Sequence, residues 1–447
     1  MKQFLTYTFL VCLSFGVAQD IPSSFSLQEA IDFALENNRI AKNAARDIEA
    51  AEQQKWETTA TGLPQINANV NYQNFLELQQ QGIPATFINP DNSPNDLVPA
   101  AFGAENTAIA SATLEQLLFD GSYLVGLQSA KVFLEISENA KVKTDLDIRK
   151  NVINAYGNVL LAEESVLILE DNIEVLQKNL NETTKIYENG LEELESVEQL
   201  QITLSGLQSN LNNSERLRDI AYQMFNITLG IDFDATTKLT DSLEDLALQN
   251  DELNLLNSEF EAKQTVDYKI AENDVRSNEL LVKLEKSKAL PRLSASLTGG
   301  FNTFSNDFTL FNTNNQWFDY AVVGFNLDIP IFSSLGRNAA TQRAEINLEK
   351  SKDNLTETEQ MLNLQIDSAK SNYRFATEDY YIKKDNLELA ERIEKKNETK
   401  FFEGIGSSFD LRQAQTQLYT AQQELLQAML DVITTKAELE TITNKID

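Results

Sequence analysis

Carboxylates are the one reactive side chain this chain has in quantity: 68 Asp and Glu stand against 37 Lys and Arg, with no His and one Cys. A net charge of −31 argues against nucleic acid as a partner, because phosphates need clustered cations. Without histidine there is no imidazole base, no His-ligated metal and no Ser-His-Asp triad. Carboxylate pairs could hydrolyse glycosides, but among 68 acids such pairs can be drawn almost anywhere and mean nothing without a pocket-forming fold. Met1, Met224, Met361 and Met429 are scattered, so no methionine-lined copper path is suggested. The sequence predicts no catalytic residue, no cofactor and no metal site. What stands out is acid gathered at two glycine-marked places: Glu192, Glu193, Glu195 and Glu198 after Asn189-Gly190, and Glu403 and Asp410 around Gly404-Ile405-Gly406.

Long helices must position those acids. The eight prolines are Pro22, Pro64, Pro84, Pro90, Pro94, Pro99, Pro291 and Pro330, which leaves residues 100–290 and 331–447 free of them. An internal proline costs a helix about 3 kcal/mol, and these stretches are rich in Leu, Glu, Gln, Lys and Ala. Val166, Leu169, Ile173, Leu176, Leu180 and Tyr187 recur at alternating steps of three and four, a coiled-coil seam softened only by Thr183. A second seam runs Val197, Leu200, Leu204, Leu207 and Leu211. A third runs Leu411, Ala414, Leu418, Ala421, Leu425, Ala428, Val432, Thr435, Leu439 and Ile442. Glycine stops each preceding helix. Ser196 with Gln199 and Ser407 with Asp410 have capping-box spacing for the restart. These are helical hairpins, with tips near 189–195 and 403–407.

Adding 214 to 197, 200, 204, 207 and 211 gives 411, 414, 418, 421 and 425, and carries Gly190 to Gly404. The chain is thus an internal duplication, divided as a first repeat over 19–230, a connector over 231–256 and a second repeat over 257–447. Each copy opens with a helix, 27–58 behind the capping box Ser26 to Glu29 and roughly 257–288, and each helix ends in Leu-Pro. Period-two strands follow. Ile66, Ala68, Val70 and Tyr72 alternate with Gln65, Asn67, Asn69 and Asn71; Leu293, Ala295 and Leu297 alternate with Arg292, Ser294, Ser296 and Thr298. A second strand in each copy covers Ala108 to Leu114 and Ala321 to Ile329, closed by turns at 117–122 and 331–336. The links are an irregular loop over 76–105 and a shorter one over 305–316. Trp56 and Trp317 bracket the strand pairs, where aromatics suit either a membrane interface or an ordinary soluble core.

Residues 1–18, with Lys2 ahead of an apolar run and Gly16 and Ala18 before Gln19, read as a signal peptide, with Cys12 inside it. No later segment offers about 18 uninterrupted apolar residues, so no helical span is predicted. The strands have one apolar face and the length of about 9 to 11 residues that a tilted membrane strand needs. Four strands cannot close a barrel, so chains must share one. Two chains would give eight strands with a filled lumen, and three give twelve with an aqueous bore. Three fits a passage. Helices over 124–188 and 338–401 would each span about 95 Å at roughly 1.5 Å per residue, enough to build a long tube below the membrane.

In this order and duplication, SLQEAIDFALENN at 26–38, LPQINANVNYQ at 63–73, LEQLLFDG at 114–121, LPRLSASLTGGF at 290–301, DIPIFSSLG at 328–336 and the tips at 187–201 and 401–415 resemble the outer membrane efflux protein family, the TolC-like outer membrane factors. The resemblance implies an α+β, mainly α fold: long antiparallel coiled-coil hairpins form a periplasmic α-barrel, and four strands per chain enter a trimeric 12-stranded transmembrane β-barrel. It implies a homotrimer in the outer membrane that projects into the periplasm. Such a duct passively conducts small molecules from an inner-membrane pump, docked through a periplasmic adaptor. By the same resemblance Asp410 matches the first aspartate of an aperture pair, and Gln413 takes the place of the second. Gly406 stands where some members carry an arginine.

Asp410, Gln413, Glu198 and Glu195 are therefore the gate candidates. For Asp410 a plain role at the third position of a helix stands beside the gate role, and for the glutamates a solvated acidic turn does. Gly190, Leu191, Gly404, Ile405 and Gly406 are the adaptor-docking candidates, with turn chemistry as the alternative. Gln65, Asn67, Asn69, Asn71 and Arg292 are the barrel-lumen candidates, from alternation alone. Two other readings stay open: a type I secretion channel for polypeptides, and a secreted structural coiled coil.

Overall fold

The structure is a computed structural model that describes residues 22–444 apart from residues 89, 92, 94, 249–255, 257, 259 and 309–314. The predicted signal peptide, and parts of the connector 231–256 and of the loop 305–316, lie outside the described residues. In chain order the elements are β1 (Ser24–Phe25), α1 (Leu27–Asn37), α2 (Arg39–Ala60), β2 (Gln65–Asn74), β3 (Gln80–Pro84), β4 (Leu97–Ala101), β5 (Asn106–Asp120), α3 (Gly121–Glu188), α4 (Leu194–Leu229), β6 (Lys238–Leu239), α5 (Leu243–Ala247), α6 (Val266–Ser287), β7 (Arg292–Ser305), β8 (Trp317–Asp328), α7 (Gly336–Phe402) and α8 (Ser408–Thr443). The fold is mainly helical with antiparallel strands. Its described residues divide into two compact units that both draw on each half of the chain: those within 1–42, 144–261 and 364–447 form one, those within 43–143 and 262–363 the other.

The unit of residues 43–143 and 262–363 holds a four-stranded sheet in the order β2-β5-β7-β8, antiparallel throughout. Directly opposed residues share a face, and the register sorts them by polarity. Asn67, Thr113 and Thr298 fall in one row, tied by a 3.0 Å hydrogen bond between the two threonine hydroxyls. Ile66, Leu114, Leu297 and Val323 fall in the next row, on the opposite face. The apolar face is open: Val70 is 81% exposed, Ile66 75% and Phe325 73%. Among the described residues β2 and β8 pair on one side only.

The other unit has its core around the first strand of the chain and the connector. β1 and β6 pair in parallel, Ser24 with Lys238 and Phe25 with Leu239. Phe25, Tyr156 and Phe225 are buried and stack edge to face, with centroids 5.7 Å apart for Tyr156 and Phe225. The Tyr156 hydroxyl lies 2.9 Å from the Phe25 carbonyl and 3.1 Å from Asp241 Oδ2, and burial pushes the phenol up to about 12. α3 contains an 18-residue window of mean hydropathy 1.3, long and apolar enough to cross a membrane by length and composition. Its Val152, Tyr156 and Val159 are fully buried in this core. The first two seams are a single cluster, in which Val166, Leu169, Leu176 and Leu180 pack with Val197, Leu200, Leu207 and Leu211.

Four local details differ from the sequence reading. The helix expected over 27–58 breaks at Asn38, which turns to ψ 136°, donates to the Thr228 carbonyl at 2.7 Å and accepts from the Ile40 amide at 2.7 Å. Residues 76–105 contain the β3–β4 ribbon; Pro84 and Pro99 fit it because a two-stranded ribbon has free edges. β5 runs on through the predicted turn to Asp120, across a register shift between Leu117 and Phe119. Within 231–256, β6 and the Ser242 cap of α5, bonded by the Asp245 amide at 3.1 Å, repeat the order of β1, Ser26 and α1.

Gly230 ends α4 at φ +85°, and a Cβ there would lie 2.6 Å from the Asn37 carbonyl oxygen and 2.8 Å from Asn38 Cα. Gly230→Ala is expected to lower stability by about 2 kcal/mol or more, from left-handed strain plus backbone contact. Gly206→Ala, at an open position inside α4, should raise it by about 0.5–1 kcal/mol. Thermal melts of the purified protein read both signs.

Candidate functional site

Both hairpins turn on the same backbone device. After α3, Gly190 takes φ +74°, its amide donates to the Tyr187 carbonyl at 2.8 Å, and the Leu191 amide donates to Ile186 at 3.1 Å. After α7, Gly404 takes φ +75°, its amide donates to Phe401 at 3.0 Å, and the Ile405 amide donates to Lys400 at 3.0 Å. These are Schellman closures, and each donor and acceptor maps onto its sister by the shift of 214. The turns leave Leu191 79% and Ile405 73% exposed, two apolar side chains held out on rigid backbone. Gly406 is a close approach: a Cβ there would lie 2.9 Å from Lys400 Cβ and 3.0 Å from the Phe401 nitrogen. The last turn of α7 occupies the space a larger residue would need.

The helix restarts differ between the copies. Ser407 caps α8 as expected: its hydroxyl accepts from the Asp410 amide at 3.1 Å and donates to Asp410 Oδ2 at 2.7 Å. Ser196 does not cap α4. That helix begins at Leu194 with Glu193 as an N-cap that makes no side-chain bond, and Glu193 is the residue the shift pairs with Ser407. Ser196 instead is buried, donates to Glu192 Oε1 at 2.6 Å and shares a 2.8 Å hydrogen bond with Ser408. It joins the two tips of one chain, a role that no local pattern signals. Higher up, the Asn172 amide donates to Gln422 Oε1 at 2.8 Å, joining α3 to α8.

The tip acids stand around this joint. Glu195, Glu198, Asp410 and Gln413 are all exposed. Glu195 accepts from the Gln199 amide at 2.8 Å, and the Arg412 guanidinium sits 5.4 Å over the Phe409 ring. Asp410 thus fills its capping place while leaving its carboxylate open to solvent. The described residues contain no His, Cys, Asp or Glu cluster able to hold a metal ion. In the sheet, Gln65, Asn67, Asn69 and Asn71 lie on one face of β2, and Arg292 on the same face of the sheet through Ser296, Glu115 and Gln65. Arg292 Nε pairs with Asp120 Oδ2 at 3.5 Å.

Residues 264–445 match the sequence model of the outer membrane efflux protein family. No curated protein matches the chain at a significant level. Among solved structures, the outer membrane protein VceC of Vibrio cholerae aligns over 93% of this chain and 95% of its own, with TM-score 0.73 at 16% identity. The CmeC outer membrane channel of Campylobacter jejuni aligns over 94% and 85%, with TM-score 0.72 at 17% identity. The open-state MtrE outer membrane channel of Neisseria gonorrhoeae aligns over 93% and 88%, with TM-score 0.67 at 16% identity. Residues 264–445 thus resemble an outer membrane efflux protein domain, and the chain as a whole has the fold seen in these solved outer-membrane channels.

Proposed function

We propose that the chain is the outer-membrane exit duct of an efflux system and works as a homotrimer. The observation that carries this reading is the pairing of β5 with β7, the second strand of the first copy beside the first strand of the second. Applied to the unpaired edges, the same rule sets β8 of one chain beside β2 of the next. Three chains then give twelve strands with every edge met, as hydrocarbon requires. Ile66, Val70, Val323 and Phe325 face lipid, Tyr72 and Trp317 share a row at one end of the apolar face, and Gln65, Asn67, Asn69, Asn71 and Arg292 face the bore.

The hairpin tips are the periplasmic end. Leu191 and Ile405, on Gly190 and Gly404, offer an adaptor two apolar knobs on pre-set turns. Three copies of Asp410, with Glu195, Glu198 and Gln413 beside it, form an acidic ring where cations collect. Passage is passive and small molecules are the cargo, driven by an inner-membrane pump.

Two measurements test this. The protein mass of the detergent-solubilised chain, corrected for bound detergent, should equal three chains; a soluble monomer or dimer recovered without detergent would sink the duct and favour a secreted coiled coil. In planar bilayers Asp410→Asn should weaken cation selectivity and divalent-cation block. Unchanged behaviour in both would leave Asp410 as a helix-start residue only.

A further inference from the structure

The two hairpins share a backbone but not a seam. Leu180 of α3 is buried against Val197 and Leu200, and the shift of 214 puts Glu394 of α7 in its place. Glu394 is partly buried, in a seam with Tyr380, Ala390 and Phe401, which are buried. Opposite it on α8 is Gln415, 1% exposed. Neither atom of that amide completes a hydrogen bond of normal geometry, although it lies near enough to favour the ionised Glu394 carboxylate. α3 and α8 run antiparallel in the register of the Asn172–Gln422 bond, so one heptad toward the tip Asn179 stands at the level of Gln415. Asn179 is also 1% exposed with an unmet amide, and Thr183, one turn further on, is fully buried with an unmet hydroxyl. A buried polar layer thus lies just behind the tips, drawn from α3 as well as α8, and only the second hairpin adds a carboxylate to its seam.

We propose that Glu394 is a proton-operated latch on the second hairpin: uncharged it completes the α7–α8 seam beside the tip, and charged it loosens it. Glu398 and Lys395 act on it from α7, themselves paired at 2.9 Å. α8 brings Gln415 and Tyr419, and α3 brings Asn179 and Thr183, both uncharged. Burial first, then the Glu398 charge, hold the Glu394 carboxyl above its ordinary value of 4.5, against smaller opposing pulls from Lys395 and Gln415. Burial and the Glu394 charge likewise push the Tyr419 phenol up. A carboxyl raised in the packed state binds its proton more tightly there. Seam stability is therefore gained as pH falls through the raised value, is complete below the ordinary one, and is lost as pH rises. On the duct reading, on which this consequence rests, acidification holds the aperture shut.

Amide hydrogen exchange of the detergent-solubilised full chain, corrected for intrinsic rates, tests the latch at about pH 7.5 and about pH 5. In the unmodified protein, peptides covering 390–420 should exchange severalfold more slowly at the lower pH, while those of α6, covering 266–287, hold steady. Glu394→Gln and Glu394→Leu, the latter restoring the sister residue, should both exchange slowly at either pH. A pH-independent rate in the unmodified protein, or an unchanged pH dependence in the two variants, would overturn the latch. The exchange is read on the chain itself, so a negative result is separate from failure of the duct, which the mass measurement decides.

Discussion

A strand at the edge of a sheet leaves a row of amides and carbonyls unmet, and hydrocarbon offers no water to meet them. Among the described residues β2 and β8 are such edges, and on the duct reading the rest of the strand architecture follows from them. Length, one apolar face and cross-strand rows sorted by polarity are what the proposed shared sheet, continued beyond one chain, would need. The internal β5–β7 pairing shows how two copies of the same motif join, so the duplication contains the rule for its own extension. A sheet with unrelated edges would need a separate interface for closure; one built from copies needs a single junction used repeatedly.

Duplication also lets the two hairpins diverge while the backbone stays fixed. Ile186 and Lys400 accept the same closing bond, as do Tyr187 and Phe401. The residues set on that frame differ: Ser196 is buried and bridging where Asp410 is exposed and capping, and Glu192 stands where Gly406 is packed under α7. Both hairpins bury polar groups near the tips, Asn179 and Thr183 in the first and Gln415 in the second, but only the second sets a carboxylate, Glu394, in its seam.

Periodic features were legible in the sequence because a period needs no tertiary knowledge. The seams, apart from Tyr187 at the exposed end of the first, the strand alternation, the glycine stops and the Ser407 cap are where spacing placed them. What escaped depends on partners distant in the chain. Asn38 breaks a helix because Thr228 is there to receive its amide. β3 and β4 are strands because each has the other, although proline content reads as loop. Ser196 fits a capping box by spacing, yet its hydroxyl is taken by Glu192 and Ser408. The shift of 214 applied to Ser407 lands on Glu193, the true N-cap, so the repeat held information that the local motif obscured. The tip carboxylates were the least legible, because an acid near a helix start satisfies the dipole whatever else it does.

Each compact unit is stitched from separated stretches of chain, and the unit holding the tips takes residues from the beginning, the middle and the end. Tyr156, Phe25 and Asp241 meet in its core, while Leu425, Val432 and Leu439 arrive from α8. Neither half can complete that core alone. The polypeptide must therefore wait, unfinished and with its apolar stripes uncovered, until its last hundred or so residues have been delivered. Contacts of such long sequence separation form slowly, so this unit can close only after the last hairpin has joined it.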